Sequence, residues 1–129
     1  MIQNVAIVTQ FYDAFGRGDI PTAFGLLHRE VEFHEQASLP WGKVYKGIPG
    51  IEALLGELAK WLGPDLKIDV KYVIDAPDNR VVSRTELRCL DRSFASFEEW
   101  QLVEGRIRRV EPFIDTGLLM ARLSDLDKL

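Results

Sequence analysis

Two alternating runs near the end of the chain constrain the fold more than any other feature. They cover residues 96–103 and 106–114 and are separated by Glu104-Gly105. Alternation with a period of two is typical of β-strands, and a two-residue connection that contains glycine is typical of a hairpin. Residues 67–74 and 80–90 also alternate. The second half of the chain therefore predicts a mostly antiparallel sheet.

The first half of the chain carries amphipathic patterns. Apolar side chains at helical spacing predict a helix over residues 3–16, a short helix capped by Asp19 with Pro21 in its first turn, and a third helix over residues 51–62. Helices that precede strands indicate an α+β fold, with the helices packed on one face of a strongly curved, mostly antiparallel sheet. We expect one domain over residues 1–129.

Charge and composition exclude several classes of function. The formal net charge is -4, which argues against a nucleic-acid partner because such binding needs clustered Lys and Arg. No apolar run approaches the roughly 20 residues of a membrane span, and the first residues lack the pattern of a signal peptide. The single cysteine, Cys89, cannot form an internal disulfide. We expect a cytoplasmic protein with no membrane association, metal or cofactor.

A carboxylate follows the strand that begins at Val31. Val31, Phe33 and Glu35 share one face of this strand, while Glu32 and His34 share the other. If the strand continues that far, the Glu35 side chain points into the layer of core residues. The alternative is that the strand ends at His34 and leaves Glu35 in the punctuated loop over residues 36–50.

Glu98 has the same relation to its strand. It shares a face with Trp100 and Leu102, unless the strand instead buries Phe97 and Val103 and leaves Glu98 in water. A carboxylate that faces apolar surroundings is poorly hydrated, so its pKa rises toward the range useful for proton transfer. Two inward acids from separate strands suggest a cavity.

Asp115 has two interpretations. The segment Asp-Thr-Gly before Leu118 is typical of the cap of a short terminal helix, and a capping aspartate needs no catalytic role. Pro112 indicates an edge or a bulge, which would change whether Phe113 or its neighbours point inward. The residues alone favour the cap.

Four aromatic residues, together with Phe113, are candidate walls for an apolar ligand: Tyr12, Phe15, Trp41 and Trp100. Tyr12 and Phe15 lie on the apolar stripe of the first predicted helix, where core packing is the simpler interpretation. Trp41 lies in the long loop and could close over a pocket. His34 is either a hydrogen-bonded structural residue or a donor at the site.

Three segments resemble a known family: FYDAFGRGDIPTAFGLLHREVEFHE, YKGIPGIEALLGEL and WQLVEGRIRRVEPFIDTGLL. Together they resemble the SnoaL-like polyketide cyclase branch of the nuclear transport factor two-like superfamily, which also includes ketosteroid isomerase. The resemblance spans nearly the whole chain. It implies a cone of helices and curved sheet with an internal pocket, and a homodimer formed through the outer sheet face.

The resemblance also assigns roles to individual residues. Asp115 matches the acid–base aspartate of SnoaL-like cyclases, which makes it the first catalytic candidate. Glu35 matches the base of ketosteroid isomerase and Glu98 its protonated acid. The isomerase tyrosine would fall at Phe11 rather than Tyr12, so that set of donors is incomplete.

These observations give two hypotheses about function. The first is a cofactor-independent isomerase or cyclase that moves a proton next to a carbonyl group of a small apolar molecule. Asp115 or Glu35 would be the base, and Glu98 and His34 the polarising donors. The second is a dimeric module that binds a hydrophobic metabolite without changing it.

Overall fold

The computed structural model describes residues 2–129, which form four helices and six strands. The helices are α1 (Ile2–Gly16), α2 (Ile20–Gly25), α3 (Gly47–Leu62) and α4 (Thr116–Asp125). The strands are β1 (Leu27–His34), β2 (Val44–Lys46), β3 (Lys67–Ala76), β4 (Arg80–Cys89), β5 (Arg92–Val103) and β6 (Arg106–Ile114). The predicted α+β class is confirmed.

All six strands form one open sheet in the order β2-β1-β6-β5-β4-β3. The strands β1 and β6 pair in parallel, and every other neighbouring pair is antiparallel. The hairpin between β5 and β6 turns at Glu104 and Gly105, which both have positive φ values, 53° and 72°. Glycine adopts this conformation readily, which explains its place in the predicted turn.

The local patterns explain where the helices begin and end. The Asp19 side chain accepts a hydrogen bond from the backbone N–H of Thr22 at the start of α2, as the sequence predicted. The helix α3 ends at Leu62 before Gly63, whose φ of 85° suits a residue without Cβ. It begins at Gly47, four residues before the predicted start at Ile51.

The two faces of β5 differ sharply. Its buried residues alternate with exposed ones from Phe94 to Leu102, so Glu98 lies on the buried side together with Trp100. The opposite parity, with Phe97 and Val103 buried, is wrong. This face of the sheet packs under α1, whose Val8 and Ala14 are fully buried.

A shift in register after Val70 changes which side chains of β3 face outward. Val70 pairs with Thr85 but Tyr72 pairs with Arg84, so Lys71 is an extra residue. Tyr72 is therefore 47% exposed and Ile74 49% exposed, although the simple alternation placed both residues on the face of Ile68. Such an irregularity increases the local bend and twist of a strand.

The outer face of the sheet carries exposed aromatic side chains. Phe97 and Phe113 are direct cross-strand neighbours, 46% and 49% exposed. Phe113 therefore points away from the interior, which corrects its predicted place in a ligand pocket. The homodimer through this face stays a prediction. Within residues 2–129, no helix combines the length and apolar character needed to cross a membrane.

Asp115 caps the last helix. Its Oδ1 accepts a hydrogen bond of 3.1 Å from the backbone N–H of Leu118, and the helix buries Leu119 and Leu123 against the rest of the fold. The aspartate itself is exposed. The cap is thus the role that the structure gives to Asp115.

Substitutions at Asp115 test the cap. We expect Asp115→Ala to lower the free energy of unfolding by about 1 kcal/mol, because a helix N-terminal N–H loses its partner. Asp115→Asn should cost much less, since the amide oxygen can accept the same bond. Urea denaturation of both variants measures the difference, and equal stability of the alanine variant and the wild type would contradict the cap.

Candidate functional site

A cavity of about 130 Å³ lies between the helices and the inner face of the sheet. A cavity of about 150 Å³ binds benzene in a well-studied engineered protein, so this cavity is of the size that accommodates one six-membered ring. Most of its wall is apolar. The aromatic residues that line it are Phe11, Tyr12, Phe15, Phe24, Phe33, Trp41 and Trp100. The polar ones are Glu35, Gln36, Ser96 and Glu98.

The loop between β1 and β2 forms one wall of the cavity. It folds back on itself through backbone hydrogen bonds from Leu39 to the Gln36 carbonyl and from Gly42 to the Leu39 carbonyl, 3.0 Å and 2.9 Å long. The Tyr45 hydroxyl donates a bond of 2.6 Å to the carbonyl of Trp41. These contacts tie the buried Trp41 to the loop, where its side chain forms part of the cavity wall.

Glu35 is the first residue after β1. Its backbone N–H still bonds the carbonyl of Lys43 at 3.0 Å, so the extended conformation carries its side chain to the face of Phe33. Oε1 accepts a bond of 2.9 Å from Nε1 of Trp41. No residue of 2–129 bonds Oε2, which is also not among the fully buried unpartnered atoms. We infer that Oε2 faces the cavity.

The surroundings of Glu35 favour its neutral form. Burial raises the pKa of the carboxyl above its ordinary value, because a charge is poorly hydrated among apolar side chains. The bond from Trp41 opposes this effect, and the nearby Glu98 adds to it. Glu35 is thus a carboxyl held at an apolar cavity with its proton affinity raised.

Glu98 has a very different environment on the same cavity. Four hydroxyl groups donate to its carboxylate: Tyr12 at 3.0 Å and Ser83 at 2.7 Å to Oε1, and Thr85 at 2.8 Å and Ser96 at 2.5 Å to Oε2. A carboxylate has about four lone-pair sites. Its capacity to accept hydrogen bonds is therefore filled from within the protein.

Strand register explains this cluster. In the pairing of β4 with β5, Ser83 lies opposite Glu98 and Thr85 lies opposite Ser96. Residues two apart on a strand share a face, so the four polar side chains meet on the buried side. Sequence reasoning missed Ser83, Thr85 and Ser96. Their hydroxyl groups at every second position of two adjacent strands were the available indication.

The phenol of Tyr12 belongs to the same cluster. Its oxygen lies 3.0 Å from Ser83 Oγ as well as from Glu98 Oε1. Burial, and then the Glu98 charge, raise the pKa of Tyr12 far above its ordinary value, so the phenol keeps its proton. The resemblance to ketosteroid isomerase placed the tyrosine at Phe11, but here the neighbouring Tyr12 supplies the hydroxyl group.

These bonds change the role predicted for Glu98. It was expected to donate to a carbonyl group, but its carboxylate accepts in all four bonds. The protons of Tyr12 and Ser96 are directed at Glu98, so neither is free for a ligand in this arrangement. The hydroxyl groups of the protein therefore occupy the acceptor positions of the Glu98 carboxylate.

Gln36 is a site residue that sequence reasoning missed. Its Oε1 accepts a bond of 2.8 Å from the backbone N–H of Ile114, and because an N–H must face an acceptor, this bond fixes the orientation of the amide. The amide nitrogen has no acceptor among residues 2–129. Gln36 lines the cavity and can donate to a ligand there. Nothing in its sequence context indicated this.

Two other predicted residues lie away from the cavity. His34 is on the opposite face of β1, where its Nε2 lies 2.8 Å from Oε1 of Glu32. Asp115 is exposed at the start of α4. The structure therefore brings together Glu35, Glu98 and the aromatic walls, and separates them from the first catalytic candidate.

The close packing of Gly42 gives a test of the loop. A Cβ at this position would clash with the carbonyl oxygen of Gln36, so we expect Gly42→Ala to displace the segment. It should lower the free energy of unfolding by about 1–3 kcal/mol and shift the fluorescence of Trp41. Gly56, inside α3 with open space around it, is the matched control.

Gly56→Ala should leave the fluorescence unchanged and raise stability by about 0.5–1 kcal/mol, because glycine is the poorer helix former. If both alanine variants had the stability of the wild type, the close packing of Gly42 would not matter to the loop.

The raised pKa of Glu35 makes stability depend on pH. Above the ordinary value of 4.5, the unfolded chain has lost the proton that the folded state retains. The contribution of Glu35 to the free energy of unfolding of the wild type is therefore lost as pH rises from the ordinary pKa to the raised one. Glu35→Gln has no such loss. We expect its free energy of unfolding, relative to wild type, to increase from about pH 4 to about pH 8.

Denaturation curves across this pH range measure that difference, with Glu52→Gln, an exposed position on α3, as the baseline. A difference that stays constant or falls as pH rises would show that Glu35 does not have a raised pKa.

Comparisons with known proteins agree on the fold. Bal32a, from a soil-derived mobile gene cassette, has 22% sequence identity and a TM-score of 0.81, covering 92% of each chain. TerC, co-crystallised with polyporic acid, has 22% identity and a TM-score of 0.81, covering 95% of this chain and 98% of its own. No curated protein matches the sequence.

A SnoaL-like polyketide cyclase candidate from Jannaschia sp. CCS1 has 18% identity and a TM-score of 0.77, covering 95% of this chain and 92% of its own. Residues 8–110 match the family described as the SnoaL-like domain. This match covers most of the chain, and the chain therefore belongs to the SnoaL-like domain family.

Proposed function

We propose that this protein is a proton-transfer enzyme, an isomerase or cyclase, that acts next to a carbonyl group of a small apolar molecule. Glu35 is the base. The observation that carries the proposal is its carboxyl group, held by Trp41 through one oxygen at 2.9 Å while the other oxygen faces the apolar cavity.

The first step transfers a proton from the carbon next to the carbonyl to Oε2 of Glu35. The electron pair of the broken C–H bond forms the enolate, whose charge develops on the carbonyl oxygen. Delivery of the same proton to another carbon completes an isomerisation. Attack of the enolate carbon on a second carbonyl completes a cyclisation, with the proton passing to the new alkoxide. The raised pKa of Glu35 suits both directions of transfer.

The developing charge on oxygen needs a hydrogen-bond donor. Gln36 takes this role, because its amide nitrogen is the donor at the cavity that no other described side chain engages. Glu98 and its hydroxyl groups hold the wall opposite. Both the base and the donor are side chains, so this step requires no cofactor.

The family supports this direction. One structural neighbour was crystallised with polyporic acid, and a second is described as a SnoaL-like polyketide cyclase candidate. At this low sequence identity, the neighbours support the fold alone. The assignment of the base to Glu35 comes from the geometry of this chain.

Hydrogen–deuterium exchange tests the proposal without a known substrate. Small apolar ketones such as acetophenone are incubated with the protein in D₂O, and proton NMR follows the loss of the C–H signal next to the carbonyl. We expect exchange above the buffer rate, reduced about 10²- to 10⁴-fold in Glu35→Gln. The rate should rise with pH through a pKa above 4.5.

Asp115→Asn and Glu52→Gln are the controls, and both should exchange at the wild-type rate. Gln36→Leu should slow exchange because the enolate oxygen loses its donor. Full activity in Glu35→Gln would remove Glu35 as the base, and loss of activity in Asp115→Asn alone would return that role to Asp115.

A second candidate function is binding without reaction. The observation that favours it is the set of hydrogen bonds that occupies Glu98. The donor left to polarise a carbonyl group is then the amide of Gln36, which is a weaker donor than a carboxylic acid. In that case the ketone would bind, bury its ring in the cavity and be recovered without deuterium from the wild type and from Glu35→Gln alike.

A further inference from the structure

We propose that the cavity binds apolar molecules that carry a protonated amine, with the ammonium group hydrogen-bonded to Oε2 of Glu35. This inference rests on the cavity as a ligand site, as the proposed function does. It is independent of whether proton transfer takes place there.

The first support is the charge of the lining. Glu35 and Glu98 both border the cavity, and none of its lining residues within 2–129 is a lysine, arginine or histidine. The basic side chains that the structure pairs with carboxylates, such as Arg84, Arg108 and Arg109, bond glutamates outside the cavity. When these carboxyl groups are ionised, a ligand in the cavity therefore meets negative charge that no lining cation offsets.

The second support is how the Glu98 charge is accommodated. Its four partners are hydroxyl groups of Tyr12, Ser83, Thr85 and Ser96. These dipoles stabilise the carboxylate locally, but they carry no net charge and do not neutralise it at a distance. The repulsion that Glu98 exerts on an ionised Glu35 is the same field that would attract a cation.

The third support is the open oxygen of Glu35. Oε1 is bonded to Trp41, whereas Oε2 has no partner among the described residues, so a ligand donor can fill it. An ammonium group donates up to three hydrogen bonds and accepts none. It can therefore donate to Oε2 while Trp41 keeps its hydrogen bond to Oε1.

The aromatic walls add to this preference. The faces of aromatic rings are electronegative and attract cations within about 6 Å of the ring centre. Phe15, Phe24, Phe33 and Trp41 line the same cavity as Glu35. A molecule with an aromatic or aliphatic body can bury that body against these rings while its ammonium group meets the carboxylate.

Three matched probes test the inference: benzylamine, benzyl alcohol and benzoate. They share one six-membered ring, the size that the cavity accommodates, and they differ in charge. Isothermal titration calorimetry at about pH 8, where the amine is protonated, measures the dissociation constants. We expect the dissociation constant of the amine to be at least about tenfold lower than that of the alcohol, and the carboxylate to bind most weakly.

Glu35→Gln should bring the amine to within about threefold of the alcohol while alcohol binding stays unchanged, which also shows that the variant is folded. Glu52→Gln, on the exposed side of α3, should keep the full preference. Carboxylate binding as tight as that of the amine, an amine no tighter than the alcohol, absence of amine binding, or a preference that persists in Glu35→Gln each overturns the inference. Ketone exchange in the same proteins is measured separately, so failure of one proposal leaves the other testable.

Discussion

The interior of this protein depends on a buried carboxylate that is satisfied by neutral donors. A charge moved from water into an apolar interior costs several kcal/mol or more unless hydrogen bonds replace its hydration. Glu98 obtains those bonds from α1 through Tyr12, from β4 through Ser83 and Thr85, and from its own strand through Ser96. The cluster therefore ties the first helix to the centre of the sheet.

Aromatic packing reinforces the same junction. The ring of Trp100 contacts Phe11 and Tyr12 edge-on, with centroids 5.6 Å and 5.4 Å apart, and its Nε1 donates to Ser83 at 2.8 Å. Phe11, Tyr12 and Trp100 also line the cavity. Glu35 lies at that cavity with one donor instead of four. Two carboxyl groups on one cavity thus have distinct properties, one filled with hydrogen bonds and one left open.

Periodicity allowed much of the fold to be predicted, most clearly in β5, where buried and exposed residues alternate from Phe94 to Leu102. The parity of Val31, Phe33 and Glu35 placed a carboxyl group at the cavity even though β1 ends one residue earlier. The surroundings of Glu98 could not be predicted in the same way, since they depend on the register between β4 and β5 and not on either strand alone. Gln36 was missed because its orientation depends on a bond to distant Ile114.

Phe113 and Asp115 show where prediction from the sequence was less successful. Both follow Pro112, where the alternation did not determine which side chains point inward, and the cap of α4 uses the aspartate that the family resemblance had favoured for catalysis. The Lys71 irregularity likewise reversed Tyr72 and Ile74, which a regular strand would have placed on the face of Ile68. At Lys71 the backbone departs from a regular period, whereas Pro112 and Phe113 pair in regular register with Glu98 and Phe97.

The central claim is that Glu35 is a poorly hydrated carboxyl group facing an apolar cavity. It can be measured directly by following the side-chain carboxyl ¹³C resonance of Glu35 in a pH titration, with the resonance assigned by its absence in Glu35→Gln. We predict a midpoint above the ordinary value of 4.5. A midpoint at or below that value would show a hydrated or ion-paired carboxylate, and would contradict the account.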